Sequence, residues 1–312
     1  HSAVLESGHT LILGWGTRVK EILRELTVAN ESESDAVVVV LSEEEKEAMD
    51  EFLRDRLPDR LTTRIVTRSG STSSRRSLEQ VAVAKASSAI VLATCGAAAS
   101  EEDRQASDAR AIKTVLALVS GGADELAVVA EIFDARNRSV ARDIAPGRVV
   151  AIDTEEILAK IMIQTSRTSG LAVVYSEVLS FVGCEIYLHK ADWKGAAFGD
   201  ALYHFKDGVP IGVYTTDGHV LIRPEPDRIM GRGEEIIIIA TDDSELEFSR
   251  SPVAKSADLP VLRRKGRQRQ ERMLLLGWSS KAATLIQEFA GYVLEGSSVD
   301  VVLRGAPTFV VE

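Results

Sequence analysis

The chain has 312 residues, 45% hydrophobic and 27% charged, with 37 Lys and Arg against 47 Asp and Glu, a formal net charge of −10. That length and composition fit roughly two globular domains with ample core material, and the acidic balance argues against a chain that wraps nucleic acid. Cys95 and Cys184 lie far apart with no partners at metal-ligand spacing, so neither a disulfide framework nor a zinc site is implied and a reduced, intracellular setting fits.

The chain opens on an alternation of strands and helices. "HTLILGW" (9–15) reads as a short buried strand. "TRVKEILRELTVAN" follows, with Val19, Ile22, Leu23 and Leu26 on one helical face. "DAVVVVL" (35–41) is a second strand whose β-branched run suits a sheet covered on both faces. "SEEEKEAMDEFLRDRL" is a helix with Ser42 as N-cap and acids in its first turn, closed by Pro58. "TRIVTRSG" is the third strand, "SLEQVAVAKA" a helix and "SSAIVLAT" the fourth strand. A helix "SDARAIKTVLALVSGG", opened by Asp108, stops at paired glycines. "ELAVVAEIF" and "GRVVAID" supply strands five and six. Six strands alternating with helices predict an α/β fold, a doubly wound parallel Rossmann-like sheet over 9–152. Its ligand cleft belongs at the carboxyl ends of the strands.

The pattern then changes. "TEEILAKIMIQTSRTSGLAVVYSEVLSF" reads as two helices around Gly170, a helical crossover over 153–181. "CEIYLH", "VPIGVYT", "GHVLIRP" and "EEIIIIAT" are short strands of a small α+β lobe over 182–246. Residues 247–270, with Arg263, Arg264, Lys265, Arg267 and Arg269, form a basic linker, either a solvated tether or a segment that meets anionic lipid. "ERMLLLGWSSKAATLIQEF" then repeats the opening strand, Leu-Gly-Trp turn and helix, with Gly277 standing 263 residues after Gly14. Residues 271–312 are expected to begin a second Rossmann-like unit, and the chain reads as a piece of a longer one. No apolar run in it approaches the ~18–20 residues of a membrane helix, and no leader peptide is evident.

The candidate binding residues gather at the predicted cleft. In "GWGTRV", Gly14, Trp15, Gly16 and Thr17 occupy the place of a dinucleotide turn, but Val19 stands at the third glycine position and Ser279 replaces the second glycine in the later copy. A phosphate turn, a ligand-free tight turn, and a retained cleft for another effector all fit. Ser42 and Glu43 end the second strand, where an acid can accept a ribose hydroxyl or merely favour a helix N-terminus. "TRSGSTSSRRS" offers Arg68, Ser69 and Gly70 as a phosphate cradle or as a solvated loop. Thr94 ends the fourth strand. Asp108 and Glu131 approach one cleft edge as carboxylates for a hard divalent cation, which needs further oxygens to complete its shell; the alternative is an N-cap for Asp108 and an ion pair for Glu131. Catalytic motifs are missing: there is no G-x-S-x-G, no Walker loop and no H-E-x-x-H.

Together "LGWGTRVKEILRELTVANES", "TRSGSTSSRRSLEQVAVAKASSAIVLA", "SDARAIKTVLAL", "VVAEIFD" and "ILAKIMIQTSR" resemble the cytosolic part of the Castor/Pollux group of ion channels. The resemblance covers most of residues 9–243 and resumes at 271. It implies tandem RCK (regulator of K+ conductance) domains, a cytoplasmic location beneath membrane pore helices upstream of His1, self-association from dimers to a tetrameric gating ring, and no catalysis. It implies a cation channel, potassium-like, gated by an ion or nucleotide. In the similar RCK domain of the calcium-gated archaeal potassium channel, cleft carboxylates bind calcium; Asp108 and Glu131 match two of those positions, while the third falls on Phe133, which cannot ligate. Ca2+ is the cofactor the resemblance favours, ahead of NAD(H) or another nucleotide. The competing expectation is a soluble NAD(P)-binding subunit of a separate transporter, or a nucleotide-dependent oxidoreductase.

Overall fold

The computed structural model describes residues 3–16, 18–96, 98–123, 125–168, 170–193, 195–241, 246–249, 251–253, 269–279 and 281–304. The chain forms two compact units, His1–Arg167 with Arg269–Glu312, and Thr168–Gln268.

The first unit opens with β1 (Thr10–Leu13), α1 (Val19–Ala29), β2 (Val37–Ser42), α2 (Lys46–Arg56), β3 (Arg64–Ser69) and α3 (Arg75–Gln80). It continues with β4 (Ser88–Val91), α4 (Glu101–Ser120), β5 (Ala127–Glu131), α5 (Ala135–Ile144), β6 (Val149–Ile152) and α6 (Thr154–Arg167). The strands form one parallel sheet in the order β3-β2-β1-β4-β5-β6. The order reverses between β1 and β4, and that switch point opens a crevice at the strand ends. The valine run of β2 divides by pleat: Val38 and Val40 join Ile12, Leu23, Met49 and Leu53 on one face, whereas Val39 and Leu41 join Leu11, Leu13, Val115 and Leu118 on the other. Both faces are covered, as the unbroken apolar run predicts.

Three of the expected helices differ: α2 starts at Lys46 with Glu45 in the N-cap position, because Ser42, the cap expected from the sequence, is the last residue of β2. The helix expected over 77–86 ends at Gln80; Ala82 is left-handed (φ 53°) and Val83–Lys85 make a single 3₁₀ turn. Leu78, Val81 and Val83 all enter one core, and positions two apart point to nearly opposite sides of a continuous helix. The third helix, α4, starts at Glu101, where Ser100 caps it by accepting from the Asp103 N–H at 3.1 Å. Asp108 therefore lies inside α4 and does not open it.

The second unit contains α7 (Leu171–Val178), β7 (Glu185–Lys190), the single turn α8 (Phe198–Ala201), β8 (Val209–Tyr214), β9 (Val220–Ile222) and β10 (Glu235–Ala240). Its antiparallel sheet runs β7-β10-β8-β9. Trp193, Phe198, Phe205, Val213, Ile236 and Ile238 build its core. The basic linker residues Arg263, Arg264, Lys265 and Arg267 lie outside the described residues.

The chain then rejoins the first unit with β11 (Arg272–Leu276), α9 (Ala282–Tyr292) and β12 (Ser298–Val302). β11 and β12 pair in parallel. Gly277 repeats the turn of Gly14: φ is +90° and +116° respectively, and each glycine N–H donates to a neighbouring strand's carbonyl, Val302 at 2.8 Å and Leu41 at 2.9 Å. α9 packs on α6 through Ala159, Ile163, Leu285 and Phe289.

Candidate functional site

The switch-point crevice holds a chamber of about 330 Å³ lined by Gly14, Trp15, Ser42, Glu43, Glu44, Ser71, Thr72, Ser73, Thr94, Arg110, Lys113 and Thr114, among others. A second chamber of about 220 Å³ is lined by Trp15, Gly16, Arg18, Leu92, Ala93, Thr94, Cys95 and Gly96. Trp15, Leu92 and Thr94 are common to both. Gly14 is required twice over: its φ is positive, and a Cβ there would lie 3.2 Å from Leu92 Cβ. Trp15 packs edge-on against Phe52 at 5.4 Å and belongs to the apolar layer with Ile22 and Leu26. Burial raises the Cys95 thiol pKa, which keeps it a poor nucleophile.

Of the residues singled out in the sequence, Gly14, Trp15, Ser42, Glu43 and Thr94 line the larger chamber and Gly16 the smaller. Thr17 lies outside the described residues. The expected cradle of Arg68, Ser69 and Gly70 lines neither chamber; its place is taken by Ser71–Ser73. Arg68 donates to the Thr67 carbonyl at 2.8 Å. Gly70 continues the β2–β3 ladder through Ser42 O, and a Cβ there would meet Ser77 Oγ at 2.7 Å. Close packing against Ser77 favours a glycine there. Sequence reasoning missed Arg110 and Lys113; their three-residue spacing on α4 was the available signal.

Asp108 and Glu131 are both buried, at 1% and 5% exposure, and both serve protein donors. Asp108 accepts from the Phe133 and Asp134 N–H groups and from Asn137 Nδ2, each at 2.9 Å. It staples α4 to the β5–α5 turn, where Asp134 caps α5; α4 itself is capped by Ser100 and not by Asp108. Glu131 accepts from the Ala93 N–H at 3.1 Å and Thr154 Oγ1 at 2.7 Å, and pairs with Arg18 at 2.5 Å. The calcium pairing expected of these two carboxylates meets a different geometry, in which each anchors its own hydrogen-bond network. Among the described residues, no cluster of three or more His, Cys, Asp or Glu is placed to hold a metal ion.

The Glu131 network reaches α6. Arg18 also donates to Thr154 Oγ1 at 2.9 Å. Arg104 of α4 forks onto both Glu155 oxygens at 3.2 and 3.3 Å and lies over the Phe133 ring. Arg138 of α5 bridges Asp153 and Glu156, each at 3.2 Å. Three arginines from three elements thus clasp the first turn of α6, and Asp153 caps it through the Glu155 N–H at 2.9 Å.

Comparison with known proteins agrees with this architecture. A family model described as "Castor and Pollux, part of voltage-gated ion channel" matches residues 155–255, and one described as "Calcium-activated potassium channel slowpoke-like RCK domain" matches residues 6–145. The probable ion channel POLLUX of Oryza sativa subsp. japonica is 32% identical over 303 residues, covering 96% of this chain and 31% of the relative. The ion channel CASTOR of Lotus japonicus is 32% identical over 284 residues, covering 89% and 32% respectively. The chain spans about a third of the length of these curated relatives, which are named as ion channels and not as enzymes. The structure of the human SLO3 gating ring shares the fold, with a TM-score of 0.59 at 15% identity over 95% of this chain and 59% of that one. Among the described residues, no helix is long and apolar enough to cross a membrane. The chain belongs to the Castor/Pollux family of ion channels, of which it forms an RCK-domain region.

Proposed function

We propose that this chain is the ligand-sensing regulatory module of a cation channel, in which an effector in the switch-point crevice biases α6 and, through a ring of copies, the pore. The observation that carries this reading is Arg18, which lines the smaller crevice chamber and also binds Glu131 and Thr154 at the start of α6. A ligand that repositions the Trp15–Arg18 turn acts on α6 directly, and it shifts the equilibrium only by its differential affinity for the two settings. Self-association is supported by apolar side chains without cover: Ile157, Leu158 and Met162 on α6 are 42–46% exposed, and α7 has no buried residue. The test is single-channel recording of the full-length protein with Ser73→Trp, an exposed position whose new side chain fills the larger chamber. Open probability is expected to change several-fold at fixed cytosolic composition. An unchanged open probability, with the chamber blocked, overturns the reading.

A further inference from the structure

We propose that residues 3–9, just ahead of β1, are a strap that holds α3 in its broken form, and that α3 and the Val83–Lys85 turn join through Ala82 into one helix when the strap lifts. The sequence from Ser77 to Ala86 reads as a single helix, yet Ala82 is left-handed, with φ 53° and ψ 47°. A permanent left-handed kink suits Gly or Asn, whereas Ala is strained there and is the strongest helix former. Ala82 thus fits the joined form better than the one it occupies, a local conflict that another part of the fold must hold in place. The hydrogen bonds identify that part. In a continuous helix the Gln80 carbonyl accepts from the Ala84 N–H and the Val81 carbonyl from the Lys85 N–H. Here the strap occupies both carbonyls: Gln80 O accepts from the Val4 N–H at 2.8 Å, and Val81 O meets His9 Nε2 at 2.9 Å. The Lys85 N–H turns instead to the Ala82 carbonyl at 2.9 Å.

Side chains secure the strap along its length. Val4 is 5% exposed and His9 2%, and Val4 lies in the same core cluster as Leu78, Val81 and Val83. Glu6 pairs with Arg64 at the start of β3. The Gly8 N–H donates to Lys85 O at 2.7 Å, and Ser87 Oγ donates to Gly8 O at 2.9 Å. A joined helix carries Val83 away from the face that Leu78 and Val81 share, so withdrawing Val4 strips packing from the form that needs Val83 inside. The other end of α3 opens from the Ser71–Ser73 loop, which lines the larger crevice chamber. The two-state segment therefore runs from the crevice to the chain ahead of β1. Whatever the crevice binds, the strap sets the balance between the two forms.

Backbone Cα chemical shifts and amide hydrogen exchange test the proposal in the full chain and two variants. Removal of residues 1–8 together with His9→Leu takes the strap away; Val4→Asp loosens it by placing a carboxylate at a buried position. In the wild type, Ala82 is expected to give a non-helical shift. In the strapless variant, residues 80–85 are expected to take helical shifts and exchange at the Ala84 N–H to slow about tenfold, while β1–β6 keep their protection. Adding Ala82→Gly, which tolerates the left-handed form and weakens a helix, is expected to undo the gain. If the strapless variant does not fold, Val4→Asp decides in its place, with the same shifts expected. Wild-type or random-coil shifts at residues 80–85 in the deciding variant, or helical shifts indifferent to Ala82→Gly, overturn the proposal. So does loss of protection across β1–β6 in both variants, which would make the strap a fixed part of the core.

Discussion

Asp108 illustrates how a carboxylate beside a crevice is occupied by architecture. Its two oxygens satisfy two backbone N–H groups of the β5–α5 turn and one side-chain amide, and those bonds keep the buried carboxylate itself paired. Asp108→Ala removes three charge-assisted bonds that tie α4 to the turn, so a loss of about 1–3 kcal/mol of stability is expected, read by denaturant unfolding. Calcium titration heats are expected to match the wild type; a calcium response that disappears with the substitution contradicts the structural assignment. His9 gives a residue-scale pH effect. Its Nε2 meets the Val81 carbonyl at 2.9 Å, its Nδ1 has no partner among the described residues, and burial lowers its pKa below the ordinary 6.5. The unfolded chain therefore binds the proton more readily, and stability falls as pH drops below about 6.5. His9→Gln, which keeps an amide near the Val81 carbonyl, is expected to flatten that slope in thermal melts between neutral and mildly acidic pH. The sequence displayed neither role. A buried Asp and a buried His carry no periodic signal, and their partners lie 25 to 29 and 72 residues away.

Elements were legible where burial is periodic. β1, β2 and α1 carry unbroken or helically spaced apolar residues and formed as read. The start of α4 was hidden because "EEDRQA" has no large apolar residue; the Ser100–Asp103 cap was its only mark. α5 went unread for the same reason, since only Ala141 of its ten residues is buried. The arginine clasp on α6 was invisible because its members come from the α1 turn, α4 and α5. Beyond that clasp, α6 is shared with the second Leu-Gly-Trp copy: Phe289 and Leu285 of α9 meet Ala159 and Ile163. Phe289→Ala is expected to cost about 3–5 kcal/mol of local docking. Hydrogen exchange should then quicken in β11, α9 and β12 while β1–β6 keep their protection. Uniform loss of protection across both sheets contradicts a locally docked segment.

At the scale of the molecule, the two copies of the opening turn differ in what covers them. Leu11 and Leu13 are 0–1% exposed, whereas their counterparts Leu274 and Leu276 are 60% and 72% exposed. The β11–β12 sheet is covered on the α9 side through Met273, Leu275 and Val299. The Thr168–Gln268 unit has its own core around Trp193 and Ile236, so two unfolding transitions are expected. Glu234 provides a handle on the smaller unit alone. Its carboxylate forks onto Arg228 and accepts from the Gly231 N–H at 2.7 Å, while its carbonyl accepts from Trp193 Nε1 at 2.8 Å. The Arg228 guanidinium lowers its pKa below the ordinary 4.5. A depressed carboxylate adds stability above its unfolded value and loses it as pH falls through the folded one. Glu234→Gln should therefore lower the smaller unit's transition at neutral pH, because Arg228 is left without its partner. It should also reduce the acid sensitivity of that transition and leave the larger unit's transition in place. Calorimetric scans from neutral pH to about pH 3 separate the cases: a single transition that shifts as a whole would show that the two cores unfold as one cooperative body.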